Sequence, residues 1–272
     1  MSMNPRLLVP RASGFSPKSI SGLYLWLDAS VLSSVTLNGS APNQTVSQWR
    51  DLSGNNRHFS QSTAGAQPEY TLAGQSGRNC LTFDGSRRLV SDEASTTWSF
   101  LHDGIQPYAV FVVWKAASGA IRTLFSTGNS TAGFRSFYLW HDFGTLVANN
   151  LRAEVTTSNA GNYVITRNMG SQTANVMRGL EIIGDLNNAT AANRLLVTNN
   201  AGASSTAVTV NAGNPATGAP QQNLTIGSLS PTSQSFGMNG VICEILLYSR
   251  SSIVAATERS RIMGYLSKKW AL

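Results

Sequence analysis

The chain is poor in charged residues and in cysteine, and it has no long apolar run. Charged residues make up 12% of its 272 residues, about half of the share found in an average soluble domain. The longest apolar run, Tyr108–Trp114, has seven residues, whereas a membrane-spanning helix needs roughly 20. We therefore expect no membrane insertion.

Small and polar residues take the place of the charged ones, namely 35 Ser, 23 Thr, 22 Asn and 24 Gly. These residue types disfavour helices and favour strands that are joined by many turns. A helical bundle and a coiled coil are thereby excluded.

The first residues do not resemble a secretory signal. Met1–Gly14 contains only three consecutive large apolar residues, whereas a signal peptide needs about 7–15. We therefore expect a protein that is made in the cytoplasm unless another route exports it. The two cysteines, Cys80 and Cys243, both fall in strand-like runs. We predict two buried thiols rather than a bridge, and the bridge stays open as the alternative.

The formal net charge of +7 is concentrated at the two ends of the chain. Residues 1–20 hold three basic residues and no acidic one, and residues 250–272 hold five basic residues against Glu258. Residues 21–249 are neutral, with twelve charges of each sign. A nucleic-acid groove needs basic residues on the folded body, interleaved with aromatic ones. We expect no nucleic-acid partner, and we predict that the positive ends dock on an acidic partner surface.

Alternating apolar residues predict many short strands. In Leu23–Asp28, leucines alternate with Tyr24, Trp26 and Asp28, which indicates a strand with both faces partly covered. Turn clusters rich in Gly and Asn separate the other candidates. This pattern is typical of a sandwich or barrel rather than of βαβ units. The further candidates are Asn79–Phe83, Tyr108–Lys115, Arg122–Ser126, Ser136–Phe143, Leu146–Val147, Arg152–Thr156, Tyr163–Arg167, Leu180–Ile183, Arg194–Thr198, Ala207–Val210, Asn223–Ile226 and Val241–Tyr248.

One substantial helix is predicted over Ile253–Trp270, with Ser251 or Ser252 as its N-cap. Ile262, Leu266 and Trp270 are spaced four residues apart, so they share one face that should pack on the sandwich.

The first twenty residues hold three of the nine prolines and show no periodicity, which predicts an extended arm. We therefore divide the chain into an arm, residues 1–20, and a β-sandwich domain closed by the helix, residues 21–272.

Two stretches of the chain resemble concanavalin A-like (laminin G-like) jelly-roll domains, which are common in bacterial surface proteins and in bacteriophage structural proteins. Residues 21–90 contain SGLYLWLDAS, VSQWRDLSGNNRHFSQ, PEY and LTFDGSRRLV, and residues 237–270 read GMNGVICEILLYSRSSIVAATERSRIMGYLSKKW. The resemblance brackets the body of the chain. It implies an all-β jelly-roll of two antiparallel sheets, one of them concave, in which the first and last strands are neighbours.

The last predicted strand presents Val241, Cys243, Ile245 and Leu247 as one apolar face, which fits a central, buried position. Leu81 and Phe83 share one face of a predicted strand, and Asp84 and Gly85 then form a turn.

The residues WRDLSGNN, positions 49–56, read as a turn. Asp51 can bond backbone groups two residues further on, and Gly54 and Asn55 tolerate positive φ. Calcium is a weaker possibility for Asp51, Asn55 and Asn56, because oxygen ligands suit that ion. Turn chemistry alone explains these residues, so we predict no metal.

The sequence shows no reacting centre. A glycosidase needs two carboxylates about 5–10 Å apart, yet Glu244 stands alone in its strand and Asp28 has no carboxylate nearby in sequence. Asp92 and Glu93 point opposite ways if extended. The three histidines lack metal-ligand spacing, and nucleophile-elbow and phosphate-loop motifs are absent. We expect no enzyme and no cofactor.

A sugar site commonly combines an aromatic ring with hydrogen-bonding side chains. In Ser136–Phe143 the alternation places Tyr138, Trp140 and Asp142 on one face, and Trp114 could add a second ring. If this face lines the concave sheet, it forms a glycan platform. The alternative is that both faces are buried between sheets or under loops.

The first expectation for function is a non-enzymatic bacteriophage virion structural protein, either a decoration subunit of the head or a tail-associated adhesion subunit. Arg6, Arg11 and Lys18 would pin the arm to other virion proteins, in an oligomer or multi-copy assembly formed in the host cytoplasm.

Two alternatives remain open. One is a lectin-like module that recognises a host cell-surface polysaccharide through Tyr138, Trp140 and Asp142. The other is a polysaccharide hydrolase.

Overall fold

The computed structural model describes residues 14–117, 122–128, 135–142, 150–156, 164–171, 173–200, 207–210, 215, 217–232 and 236–272. Within these ranges the chain forms seventeen strands and two α-helices, α1 (Phe100–Asp103) and α2 (Ala256–Trp270). Neither of these two helices is long and apolar enough to cross a membrane. The strands are β1 (Leu23–Asp28), β2 (Val35–Asn38), β3 (Thr45–Trp49), β4 (Phe59–Ser60), β5 (Glu69–Gln75), β6 (Arg78–Asp84), β7 (Leu89–Ser91), β8 (Tyr108–Ala116), β9 (Arg122–Ser126), β10 (Ser136–Asp142), β11 (Asn150–Thr156), β12 (Val164–Ser171), β13 (Arg178–Gly184), β14 (Leu195–Asn199), β15 (Ala207–Val210), β16 (Thr225–Ile226) and β17 (Asn239–Ser249).

The strands pair antiparallel and form two layers. In the first sheet the order is β14–β13–β8–β17, and β1 and β6 share the other edge of β17. In the second sheet the order is β15–β12–β11–β10–β9–β16–β7–β4–β3–β2. The predicted all-β sandwich with one C-terminal helix is confirmed, and the first strand lies beside the last.

The first sheet is buried on both faces. Along β8, Tyr108, Val110 and Val112 pack in the core between the two sheets, and Phe111 and Val113 pack on the other side against α2. This double burial explains the apolar run in the sequence, because each buried side chain of this size contributes about 1.5–3 kcal/mol. On α2, the predicted apolar residues Ile262, Leu266 and Trp270 are all fully buried.

Helix α2 begins three residues later than predicted. Its N-cap is Ala255 rather than Ser251 or Ser252. The carboxylate of Glu258, in the first turn, accepts a hydrogen bond of 2.9 Å from the Ala255 backbone N–H. Glu258, the third residue of the helix, therefore serves the N–H of the N-cap, which is the half of a capping box that does not need a serine.

Strand β17 does not present one continuous apolar face. A β-bulge between Ile242 and Glu244 shifts the register. Val241 and Cys243 consequently pack on the α2 side, whereas Ile245 and Leu247 pack between the sheets. The prediction of a shared face is wrong, because a bulge inserts one residue and inverts the alternation beyond it.

The two cysteines form a disulfide, so the prediction of two buried thiols is wrong. Cys80 on β6 and Cys243 on β17 lie on adjacent paired strands, and their Cα atoms are 4.4 Å apart. This spacing is within the range that a disulfide spans. The bridge joins parts of the chain that are 163 residues apart.

Part of the predicted arm packs on the protein's own body. Pro17–Ser19 forms a 3-10 turn, Ile20 is buried beside α2, and the Tyr248 hydroxyl donates to the Pro17 carbonyl at 3.1 Å. Lys18 is exposed. Arg6 and Arg11 lie outside the described residues.

Reduction of the bridge should lower the free energy of unfolding by about 2–4 kcal/mol, because it releases a large loop of the unfolded chain from its constraint. Urea unfolding with and without reductant measures this difference. The double variant Cys80→Ala, Cys243→Ala is the control, and its stability should not respond to reductant. Two titratable thiols in the denatured, unreduced protein would show that the bridge does not form.

Candidate functional site

The outer face of the second sheet carries two aromatic rings in a row. Tyr138 and Trp140 lie two residues apart on β10, so their side chains leave the strand on the same face. Their ring centroids are 5.8 Å apart and the planes are inclined by 22°, which is a stacked arrangement. The neighbouring residues Phe137 and Leu139 point the other way, into the core.

Charged side chains of β11 lie beside these rings. Arg152 pairs with Trp140 across the two strands, and Glu154 pairs with Tyr138. The Arg152 guanidinium lies over the Trp140 ring, 5.2 Å from its centroid. It also forms an ion pair with Glu154. On β12, Thr166 pairs with Glu154 and closes the group. We call these five residues the outer aromatic face.

Burial shapes the electrostatics of this face. It raises the pKa of the Glu154 carboxyl, and the neighbouring Arg152 works against this rise. Burial also raises the pKa of the Tyr138 hydroxyl. The face therefore combines the ion pair of Arg152 and Glu154 with a Tyr138 phenol that is neutral at pH 7.

Two donors on this face lack acceptors. The indole N–H of Trp140 and the Nε of Arg152 are shielded from water and have no hydrogen-bond partner in the described part of the chain. A shielded donor without a partner is costly. Because water does not reach these two atoms, a ligand oxygen does not reach them in this arrangement either, and the donors that are open to a ligand belong to the partly exposed Arg152 guanidinium.

The structure brings together only part of the predicted glycan site. Tyr138 and Trp140 meet as predicted, but Trp114 is only 2% exposed and packs between the sheets. Its ring contacts His141 at 5.4 Å instead. Asp142 ends β10, and its side chain lies outside the described residues.

Exposure differs between the two rings of the face. Trp140 is partly exposed, whereas Tyr138 is buried, with only 7% of its surface accessible to solvent. The Tyr138 hydroxyl packs directly over Gly128, where any larger residue would collide with it. Trp140 is therefore the ring that is available for contact.

Sequence reasoning missed Arg152, Glu154 and Thr166. Arg152 and Glu154 stand two apart in a predicted strand, so their common face was readable from the sequence. What the sequence does not give is the register of β11 against β10, which places this pair beside the aromatic rings.

The turn at positions 49–56 has the predicted chemistry. Asp51 accepts hydrogen bonds from the backbone N–H groups of Trp26, Ser53 and Arg57 at 2.8–3.1 Å. Gly54 has positive φ as predicted, but the second such residue is Asn56 (φ 60°), not Asn55. The Asn55 amide instead donates to the carbonyls of β1. In the described part of the chain no three metal-ligating side chains gather.

Two carboxylates that are far apart in sequence meet across strands. Asp28 on β1 lies directly opposite Glu244 on β17. Neither acid has a carboxylate neighbour in sequence, so only the pairing of β1 with β17 brings them together. The bulge of β17 causes this meeting, because it turns Glu244 to the same side as Cys243.

Glu244 is completely buried and fully hydrogen-bonded. One carboxylate oxygen accepts from the Trp26 indole and the Tyr265 hydroxyl, both at 2.9 Å. The other accepts from Lys269 at 2.8 Å and from the Trp270 indole at 2.7 Å. Lys269 also forms an ion pair with Asp28. We call Asp28, Glu244 and Lys269, with the three aromatic donors, the buried clamp.

The clamp fastens α2 to the first sheet. Burial raises the pKa of Glu244, and the nearby Asp28 adds to the rise, whereas Lys269 opposes it. All hydrogen-bonding positions of the carboxylate are used within the protein. The arrangement holds two elements together and leaves Glu244 no contact with solvent.

Replacement of Glu244 by Gln should lower the free energy of unfolding by about 3 kcal/mol or more, because it removes the buried charge that pairs with Lys269 and turns an amide NH2 group, itself a donor, toward two of the four donors. Urea unfolding measures the change. The control is Glu69→Gln, which breaks the half-exposed pair with Arg87 and should cost less than about 1 kcal/mol. Equal effects of the two substitutions would show that the clamp does not hold α2.

No family model matches the chain, and no curated protein matches it. Solved structures with a similar fold include domain 4 of AbnA, a GH43 extracellular arabinanase from Geobacillus stearothermophilus, in complex with arabinotriose. It has 13% identity and a TM-score of 0.48, and the match covers 77% of this chain and 89% of that one.

A second similar structure is the Ruminococcus gnavus IT-sialidase CBM40 bound to α2,3-sialyllactose, with 15% identity, a TM-score of 0.41, and 58% of this chain and 83% of that one covered. A third is a mutant of the NanB sialidase from Streptococcus pneumoniae, with 16% identity and a TM-score of 0.47. That match covers 66% of this chain but only 27% of the sialidase chain. At these identities the likeness concerns the all-β fold alone.

Proposed function

We propose that this domain is a glycan-binding module whose contact surface is the outer aromatic face. The observation that carries the proposal is the partly exposed Trp140 ring, stacked on Tyr138 and flanked by Arg152 and Glu154. A sugar ring has an apolar side and a rim of hydroxyl groups, and this face offers both complements. An aromatic ring supplies contact area at little entropic cost.

Trp140 would pack against the apolar side of one sugar ring. The partly exposed guanidinium of Arg152 would donate to hydroxyl oxygens. The Glu154 carboxylate and the Thr166 hydroxyl lie within the same group and would accept from hydroxyl groups. Each class of hydrogen-bonding group on a sugar thus has a counterpart here.

The architecture favours this face over the outer face of the first sheet. Helix α2 and residues around Ile20 cover the first sheet on its outer side. The face of the second sheet that carries Trp140 bears no such helix in the described part of the chain. The neutral charge of residues 21–249 also favours an uncharged or weakly charged partner over a polyanion.

The cross-strand disulfide is in keeping with work outside a reducing compartment, since such bridges persist mainly there. This supports contact with a cell-surface glycan.

The role as a virion structural protein stays a prediction, as does that of a polysaccharide hydrolase. Arg6 and Arg11, on which the anchoring by the arm depends, lie outside the described residues. A binding face on the second sheet is compatible with attachment to a larger assembly through another surface.

The Trp140→Ala variant should lose glycan affinity by at least about tenfold, since a central aromatic contact typically contributes that much. Arg152→Ala should weaken binding in the same direction. A glycan array followed by calorimetry measures both. The array includes sialyllactose and arabinotriose, the ligands named with the structures of similar fold.

The matched control is Arg57→Ala. Arg57 lies over the Tyr24 ring, 3.7 Å from its centroid, in an Arg–aromatic pair outside the proposed face. The Arg57→Ala substitution should leave glycan affinity unchanged, and thermal melting confirms that each variant is folded. The proposal is overturned if the wild type binds no glycan of the array, or if Trp140→Ala and Arg57→Ala bind equally well.

A further inference from the structure

A second concavity lies on the outer side of the first sheet, beside the C-terminal half of α2. Its volume is about 730 Å³, which is within the range of small-molecule sites. Residues from four separate parts of the chain line it, among them Phe15, Trp26, Arg78 and Tyr265. It is distinct from the outer aromatic face, because the whole thickness of the sandwich separates the two.

The walls of this cavity are aromatic and held in place. Phe15 contacts Tyr265, with ring centroids 5.5 Å apart. Trp26 and Tyr265 are each tied to the buried Glu244 by a hydrogen bond of 2.9 Å. The buried clamp thus fixes two of the three rings, so the cavity is formed before any ligand arrives.

The rim of the cavity is positively charged. Asp28 and Lys269 line it, and Lys269 forms ion pairs with both Asp28 and the buried Glu244. Arg78 and Lys268 are exposed at its edge, and neither forms an ion pair with any described residue. The Nε of Arg78 donates to the carbonyl of Lys269 at 2.9 Å. Arg261 lies over the Phe15 ring nearby.

We propose that this cavity binds a small anion with an apolar ring, a molecule in which a cyclic body carries a carboxylate or sulfonate group. The ring would lie between Phe15, Trp26 and Tyr265, and the anionic group would face Arg78 and Lys268. Charge complementarity at a preformed aromatic site supplies both orientation and attraction. This site does not depend on the glycan-binding function.

The test uses the full chain and the fluorescent probe anilinonaphthalene sulfonate, with uncharged phenyl naphthylamine as its charge control. The sulfonate should bind at one site and more tightly than the uncharged probe. Lys268→Gln and Arg78→Gln should each weaken sulfonate binding by about fivefold and leave binding of the uncharged probe unchanged.

A filling variant tests the location. Gly264 lines the cavity, and a Cβ there meets no atom within 4 Å. Gly264→Leu should block the probe without a loss of stability, because leucine favours the helix more than glycine does. Ser260→Leu, one turn earlier on α2 and not in this cavity, is the matched control and should bind as the wild type does.

The proposal is overturned if the full chain does not bind the sulfonate or if it binds the uncharged probe as tightly as the sulfonate. It is also overturned if Gly264→Leu binds the sulfonate like the wild type. A loss of binding in Trp140→Ala would place the probe on the outer aromatic face instead, and this too would reject the cavity as the site.

Discussion

The structure depends most on the bulge in β17 and the carboxylate that it buries. Because the bulge places Cys243 and Glu244 on the same side of the strand, one residue bridges to β6 and the other receives four donors from β1 and α2. A buried carboxylate without its donors costs several kcal/mol. The helix can therefore dock only in the position that delivers Tyr265, Lys269 and Trp270 together. Glu244 therefore joins β1, the first strand, to α2, the last helix.

This constraint determines which surfaces are left for binding. Once α2 is held on the first sheet, it covers part of that side of the sandwich and leaves open the cavity beside Phe15 and Tyr265. The second sheet keeps its outer face for the pair of Tyr138 and Trp140. The two surfaces differ in charge, because the outer aromatic face pairs its Arg152 with Glu154, whereas the cavity has an uncompensated basic rim. They are therefore suited to different ligands.

Periodicity alone predicted the all-β class, most of the longer strands and the apolar face of α2. It missed β2, β3, β4, β5 and β7. Four of these have only two to five residues, and β5, with seven, buries only Tyr70, so none of them gives a clear alternation. It could not reveal the bulge, because the apolar spacing through Val241, Cys243 and Ile245 continues unbroken in the sequence. The disulfide also depends on the pairing of β6 with β17, which the sequence does not show. On β8 every position from Tyr108 to Trp114 is apolar, so the sequence could not say which face Trp114 takes.

The most direct test of the account follows the six tryptophan side chains by nuclear magnetic resonance. Each indole N–H gives one signal, and the protein is titrated with its strongest glycan ligand. The account predicts that the Trp140 signal moves, whereas those of the fully buried Trp49, Trp98 and Trp270 stay in place. A stationary Trp140 signal, or a shift confined to Trp26 in the cavity, would contradict the account.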